Sequence, residues 1–181
     1  MVYIIIVVVM LLILAPIIAI LPSRTQKEKM AKRRAAMGRG VGVGLTQIED
    51  PDPDPQKYVT ATGKPIERKL SVACYELRRK LPLNWRTPLD IRWAVQQFPG
   101  EEPALLQRWH WTYQPSIESS ELRDFLRETL PGLPSDTVMI EEAGGVVRYY
   151  WHEQGDEQVV SSFLESCVSL SLVNPGDKKV E

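Results

Sequence analysis

The sequence predicts an α+β protein: an N-terminal single transmembrane helix and basic stem, then a small antiparallel sheet with helices on one face. Three observations carry this expectation. Residues 2–21 (VYIIIVVVMLLILAPIIAIL) hold no charge, and fifteen of them are Ile, Leu or Val. Seven basic residues come within about twenty positions after the run. Beyond residue 57, strand-like alternation gives way to helix-like periodicity twice, the order expected of an α+β fold rather than of βαβ units.

A run of twenty residues at about 1.5 Å rise matches a hydrocarbon core of about 30 Å, so residues 1–22 are expected to span a bilayer. Pro16 is tolerated in such a helix. A cleavable signal peptide fits less well. Nothing basic precedes the run, and Leu21-Pro22-Ser23-Arg24 lacks the small residues of a cleavage site. Lys/Arg excess marks the cytoplasmic side of a span. The expected arrangement is therefore a single-pass protein of the inner (plasma) membrane, with its N-terminus outside and its C-terminal domain in the cytosol.

Residues 23–40 form the predicted juxtamembrane helix. Arg24, Lys27, Lys29, Lys32, Arg33, Arg34 and Arg39 stand against Glu28 alone. These seven are the candidate membrane-surface residues, because cations near an anionic bilayer are attracted to its headgroups. Gly38 and Gly40 are natural helix stops. The segment Gly38–Leu45 does not satisfy a G-x-G-x-x-G phosphate loop, since Val43 and Leu45 stand where glycine is required. Val41, Val43 and Leu45 instead predict a short strand. Residues 49–55 (EDPDPDP) predict an extended acidic spacer, which places a short strand and Pro-rich linker over 41–56.

Residues 57–174 are the expected soluble domain, with a loose tail at 175–181. Strands are predicted at 59–62 and 66–77, around Gly63-Lys64-Pro65. Residues 88–98 do not settle between periods. Trp109, Trp111 and Tyr113 alternate with His110 and Thr112 in a half-buried strand. A helix runs from Ser119 or Ser120 to about Thr129, ended by Pro131-Gly132. Thr137–Glu142, Gly144-Gly145 and Val146–His152 predict a tight hairpin. Over 157–172, Val159, Val160, Phe163, Leu164, Cys167 and Val168 recur at helical spacing and predict an amphipathic helix.

The chain has a formal net charge of −1. Since residues 24–40 are strongly basic, the remainder is acidic, and a nucleic-acid partner is not expected. His110 and His152 are the only histidines, each read as solvent-facing; a membrane-tethered enzyme with a site near them is an alternative reading. Cys74 and Cys167 form no paired motif and are expected as free thiols, so no metal site or cofactor is expected. Ser161 and Ser162 read as solvated, Arg78-Arg79-Lys80 as a solvated turn, and Glu141 and Glu142 as pointing to opposite faces. Five tryptophans, Trp85, Trp93, Trp109, Trp111 and Trp151, read first as core and second as candidate partner-binding residues.

The apolar run, Gln26-Lys27-Glu28-Lys29-Met30 and Gly40-Val41-Gly42-Val43 resemble YajC, the accessory subunit of the bacterial preprotein translocase. The resemblance covers residues 1–48 and implies a bacterial inner-membrane setting. The T-x-G-G of that family is missing, with Thr62-Gly63-Lys64 a faint echo, and residues 55–181 carry no resemblance. The functional expectation is a non-enzymatic, single-pass protein whose cytosolic domain makes protein–protein contacts, as an accessory component of a membrane complex. Its expected partners are the lipid bilayer with its anionic headgroups and a membrane or cytosolic protein. An anionic-lipid-binding module is a further alternative.

Overall fold

The structure, a computed structural model, describes residues 3–6, 9–13, 23–80, 91–97, 104–106, 108–115 and 120–170. The chain divides into two compact units, Met1–Arg34 and Ala35–Glu181. In chain order the elements are α1 (Arg24–Gly38), β1 (Gly42–Glu49), β2 (Lys69–Arg78), β3 (Arg92–Gln97), β4 (Ala104–Leu106), β5 (Trp109–Tyr113), α2 (Ser120–Thr129), a 3₁₀ turn (Leu130–Gly132), β6 (Thr137–Ala143), β7 (Val146–Trp151) and α3 (Glu157–Ser169).

The expected membrane anchor is corrected. Among the described residues, positions 3–6 and 9–13 are helical, whereas a span requires about 20 residues. Among the described residues no helix is long and apolar enough to cross a membrane. Residues 14–22, including Pro16, lie outside the described residues. The transmembrane part of the fold and the inner-membrane localisation built on it are therefore not supported. The α+β character of the chain from β1 to α3 stands.

In the first unit, Ser23 and Gln26 close a reciprocal capping box at the start of α1. The Gln26 N–H donates to Ser23 Oγ (3.2 Å), and the Ser23 N–H donates to Gln26 Oε1 (3.0 Å). The helix ends in a Schellman motif within the second unit. Gly40 takes φ +84°; the Val41 N–H reaches Ala36 O (3.1 Å) and the Gly40 N–H reaches Met37 O (3.0 Å). Ala36 and Val41, the apolar pair that accompanies this motif, are both buried.

The second unit is built on one antiparallel seven-stranded sheet of order β1-β2-β7-β6-β3-β5-β4. Its register places Val43, Tyr75, Tyr149, Ile140, Val95 and Trp111 in one row across the sheet. Side chains alternate between faces along a strand, so this row and its second neighbours form the inner face. Leu122, Leu126, Leu130, Val160, Phe163, Leu164 and Cys167 from the helical segments join it in a single core. The opposite face carries a smaller cluster of Val72, Val138 and Tyr150, with Ile48, Leu70, Cys74 and Met139 partly buried beside it.

The β6–β7 hairpin forms as expected, with Gly144 (φ +59°) and Gly145 (φ +75°) supplying the left-handed turn. In α3 the inward set is shifted. Val159 is exposed while Ser161 is buried, its hydroxyl donating to Glu157 Oε1 (2.5 Å). An i,i+4 hydrogen bond lets a serine occupy the apolar side at little cost. The helix begins at Asp156, whose Oδ1 accepts from the Gln158 N–H (2.9 Å).

Residues 59–65 make a single bridge, Val59 to Pro65, instead of a strand pair. The acidic run is not an extended spacer. Asp50 Oδ1 accepts from the Asp52 N–H (3.1 Å) and Asp54 Oδ1 from the Gln56 N–H (2.9 Å), local turns of the kind Asp favours. Asp50 also accepts from the Tyr58 hydroxyl and lies 3.4 Å from Lys57 Nζ. Burial opposes its ionisation, but the Tyr58, Asp52 and Lys57 donors together hold its carboxyl below the usual range.

Candidate functional site

At the β4 end of the sheet, the inner face opens into a cleft of about 500 Å³, lined by Gln97, Leu106, Arg108, Trp109, Leu130, Pro131, Leu133 and Ser135. Four structural elements meet there. Trp109 starts β5 and lies in register with Gln97 of β3 and Leu106 of β4. The register slips between Ala104 and Leu106, the kind of irregularity that bends an edge strand and re-aims its side chains. The opposite wall is the segment from Leu130 to Ser135, where Pro131 stops α2 and leads the chain into the 3₁₀ turn.

Leu106, Trp109, Leu130 and Leu133 make the apolar surface of the cleft. Trp109 and Leu130 are buried, whereas Leu106 and Leu133 are half-buried. The polar groups are few. With its amide turned so that the nitrogen faces the carbonyls, Gln97 donates to Thr137 O (2.7 Å) and Ser135 O (3.3 Å). That bond fixes the far wall to the sheet. Among the described residues, Arg108 is the one charged residue lining the cleft, and it is exposed. Among the described residues no carboxylate pairs with it. An apolar recess with a cation on its rim suits an apolar side chain carried beside a carboxylate.

A second depression of about 440 Å³ lies where β1 ends, lined by Gln47–Glu49 and Ile66–Lys69. Its walls mix both charges: Lys69 Nζ and Glu67 Oε2 are 2.5 Å apart, and both side chains are largely exposed. It offers little apolar surface for anchoring a ligand.

The residues singled out from the sequence do not converge. Trp93, Trp109 and Trp151 are buried and Trp111 is half-buried against the same core; Trp85 lies outside the described residues. An exposed tryptophan patch is thus not formed by these four, and Trp109 alone of them lines the cleft described above. Of the basic residues, Arg24, Lys27, Lys29, Lys32, Arg33 and Arg34 lie on α1. Arg39 is engaged elsewhere, with Nη1 3.3 Å from Glu157 Oε1 near the start of α3.

His110 is buried rather than solvent-facing. It lies on β5, while His152 comes directly after β7, and β6 and β3 stand between them. Three inter-strand steps amount to about 14 Å, too far for one catalytic pair. Cys74 is half-buried on the outer face and Cys167 is buried in the core; both are free thiols. Among the described residues no group of three or more His, Cys, Asp and Glu could hold a metal ion.

The feature without a sequence signal is buried charge. Arg79, expected in a solvated turn, is buried, as is Glu142. Its Nη1 donates to Val168 O (3.0 Å) and Leu170 O (2.6 Å) at the end of α3. Trp93 Nε1 donates to Glu142 Oε2 (2.9 Å). Glu141 points the other way and accepts from Tyr150 OH (2.8 Å) and Arg148 Nη1 (3.2 Å), the face alternation expected of consecutive strand residues.

No family model matches the chain, and no curated protein or solved structure does.

Proposed function

We propose that the second unit is a protein-interaction module whose cleft between β4–β5 and Leu130–Ser135 receives a peptide segment of a partner. The carrying observation is the pairing of an apolar recess with Arg108, the exposed cation on its rim. A bulky apolar side chain fills the space over Trp109, and a neighbouring Asp or Glu meets the guanidinium. Arginine at the margin of an aromatic-floored pocket is the composition of binding hot spots. The described residues lining the cleft include no His, Cys, Asp or Glu to serve as acid, base or nucleophile, which favours recognition over chemistry at this place.

The test is selection of short peptides on the full-length chain, followed by binding titrations. Peptides with a large apolar residue next to Asp or Glu are expected to be enriched, with affinity that weakens as salt rises. If enriched peptides bind wild type and Arg108→Glu equally well, this reading fails.

A further inference from the structure

The strand β1 stands at one end of the sheet and pairs with β2 over all eight of its residues, without a bulge. Among the described residues no strand pairs with its other side. Natural edge strands are blunted by lysine, proline, bulges or shortness. Gly42–Glu49 (GVGLTQIE) carries no lysine, arginine or proline and is as long as an ordinary interior strand. Its most exposed apolar residue, Leu45, is 70% exposed. Leu45 is paired with Ala73 on the inner-face side of the sheet.

We propose that β1 pairs antiparallel with β1 of a second copy of this chain, about a two-fold axis through Leu45, continuing the sheet across the dimer. Symmetry selects the antiparallel direction. A two-fold axis that keeps the inner faces of both copies on the same side stands perpendicular to the sheet and reverses the strand, whereas a two-fold axis along a parallel pair would turn one inner face outward. Exposed Glu49 closes the strand, and antiparallel pairing keeps its two copies apart where parallel pairing would set them side by side. Face alternation selects the register. A continuous sheet brings inner-face residues opposite inner-face residues, so the strand is centred on a residue that meets itself. Centring on Leu45 buries the two exposed leucines against each other and sets Val43 opposite Gln47 and Gly44 opposite Thr46.

Disulfide trapping in the full-length chain tests this, with Cys74→Ser as background and a mild nonionic detergent keeping the exposed apolar residues 3–6 and 9–13 from driving association. Under a mild oxidant Leu45→Cys is expected to form a covalent dimer, since facing residues fall within disulfide reach. Gln47→Cys is expected not to, since its two copies lie about 14 Å apart. Leu45→Lys and Leu45→Glu should each be monomeric with unchanged thermal unfolding, and an equal mixture should restore the dimer. The proposal is overturned if Leu45→Cys gives no covalent dimer, if both cysteines cross-link equally, if Leu45→Lys still dimerises, or if the wild-type chain is monomeric at every concentration.

Discussion

Arg79 and Glu142 form a two-point ion pair inside the domain: Arg79 Nε lies 2.5 Å from Glu142 Oε1, and Nη2 lies 3.0 Å from Oε2. The guanidinium also holds the last carbonyls of α3, so one side chain joins the end of β2, strand β6 and a helix C-terminus. Removing one partner strands a buried charge, which costs about 3–5 kcal/mol. Arg79→Met or Glu142→Leu alone should therefore lower the unfolding free energy by about that amount in urea denaturation. The double variant should recover much of the loss, because an apolar pair of similar volume leaves no unpaired charge. Additive losses would show that the two residues act independently.

A backbone contact supports the cleft wall. A Cβ placed on Gly155 would lie 2.7 Å from Pro134 Cγ and closer still to Pro134 Cβ, and a proline ring cannot swing aside. Asp136 binds the same loop, accepting from the Gln154 N–H (2.7 Å) and the Gly155 N–H (3.2 Å). Gly155→Ala should cost about 1–3 kcal/mol, the usual penalty of overpacking. Because Pro134 lies between Leu133 and Ser135, the same variant should weaken peptide binding while leaving Arg108 in place. Thermal unfolding alongside a binding titration checks both.

Alkali should loosen the domain. Burial, reinforced by Glu76, pushes the Cys74 thiol up to about 11 from an ordinary 9.0. Burial likewise raises Cys167, Tyr149 and Tyr150. A group with a raised folded value gives its full contribution below the unfolded value and loses it as pH climbs through the folded value. Stability should hold to about pH 9 and then fall towards pH 11. Urea midpoints across that window should fall less steeply in Cys74→Ser. Alkylation of Cys74 in the native protein should stay slow at pH 8, because the thiolate is the reactive form.

At the cleft, Arg108→Glu should reduce affinity for an acidic–apolar peptide at least tenfold, and Arg108→Lys should retain part of it, because lysine keeps the charge and loses the planar fork. Leu133→Asp should abolish binding by placing a carboxylate in the recess. Isothermal titration calorimetry measures each, with thermal unfolding confirming that exposed Arg108 contributes little to stability.

Local features are legible in the sequence. Gly144-Gly145 between alternating residues names its own hairpin, and the apolar spacing from Val160 to Val168 marks α3. The capping pair Ser23 and Gln26 also has a sequence signal, S-x-x-Q, as does Asp156 at the start of α3, though neither entered the sequence-based expectations. Non-local features are not legible. Nothing near Arg79 announces that Glu142, 63 positions away, will neutralise it. The strand Arg92–Gln97 is obscured because Trp93, Ala94 and Val95 are all buried, which erases the period-two signal. The cleft needs β3, β4, β5 and the Leu130–Ser135 segment together, and that order is a property of the sheet. Hydropathy alone favours a membrane span over residues 1–22, which the described helical positions do not supply.

Mapping peptide contacts residue by residue decides whether the cleft is where the domain recognises a partner. Backbone amide shifts, monitored while a selected acidic–apolar peptide is titrated in, should change most at Gln97, Leu106, Arg108, Trp109, Leu133 and Ser135. Binding that moves none of these amides, or moves only those of β1 and β2, would contradict it.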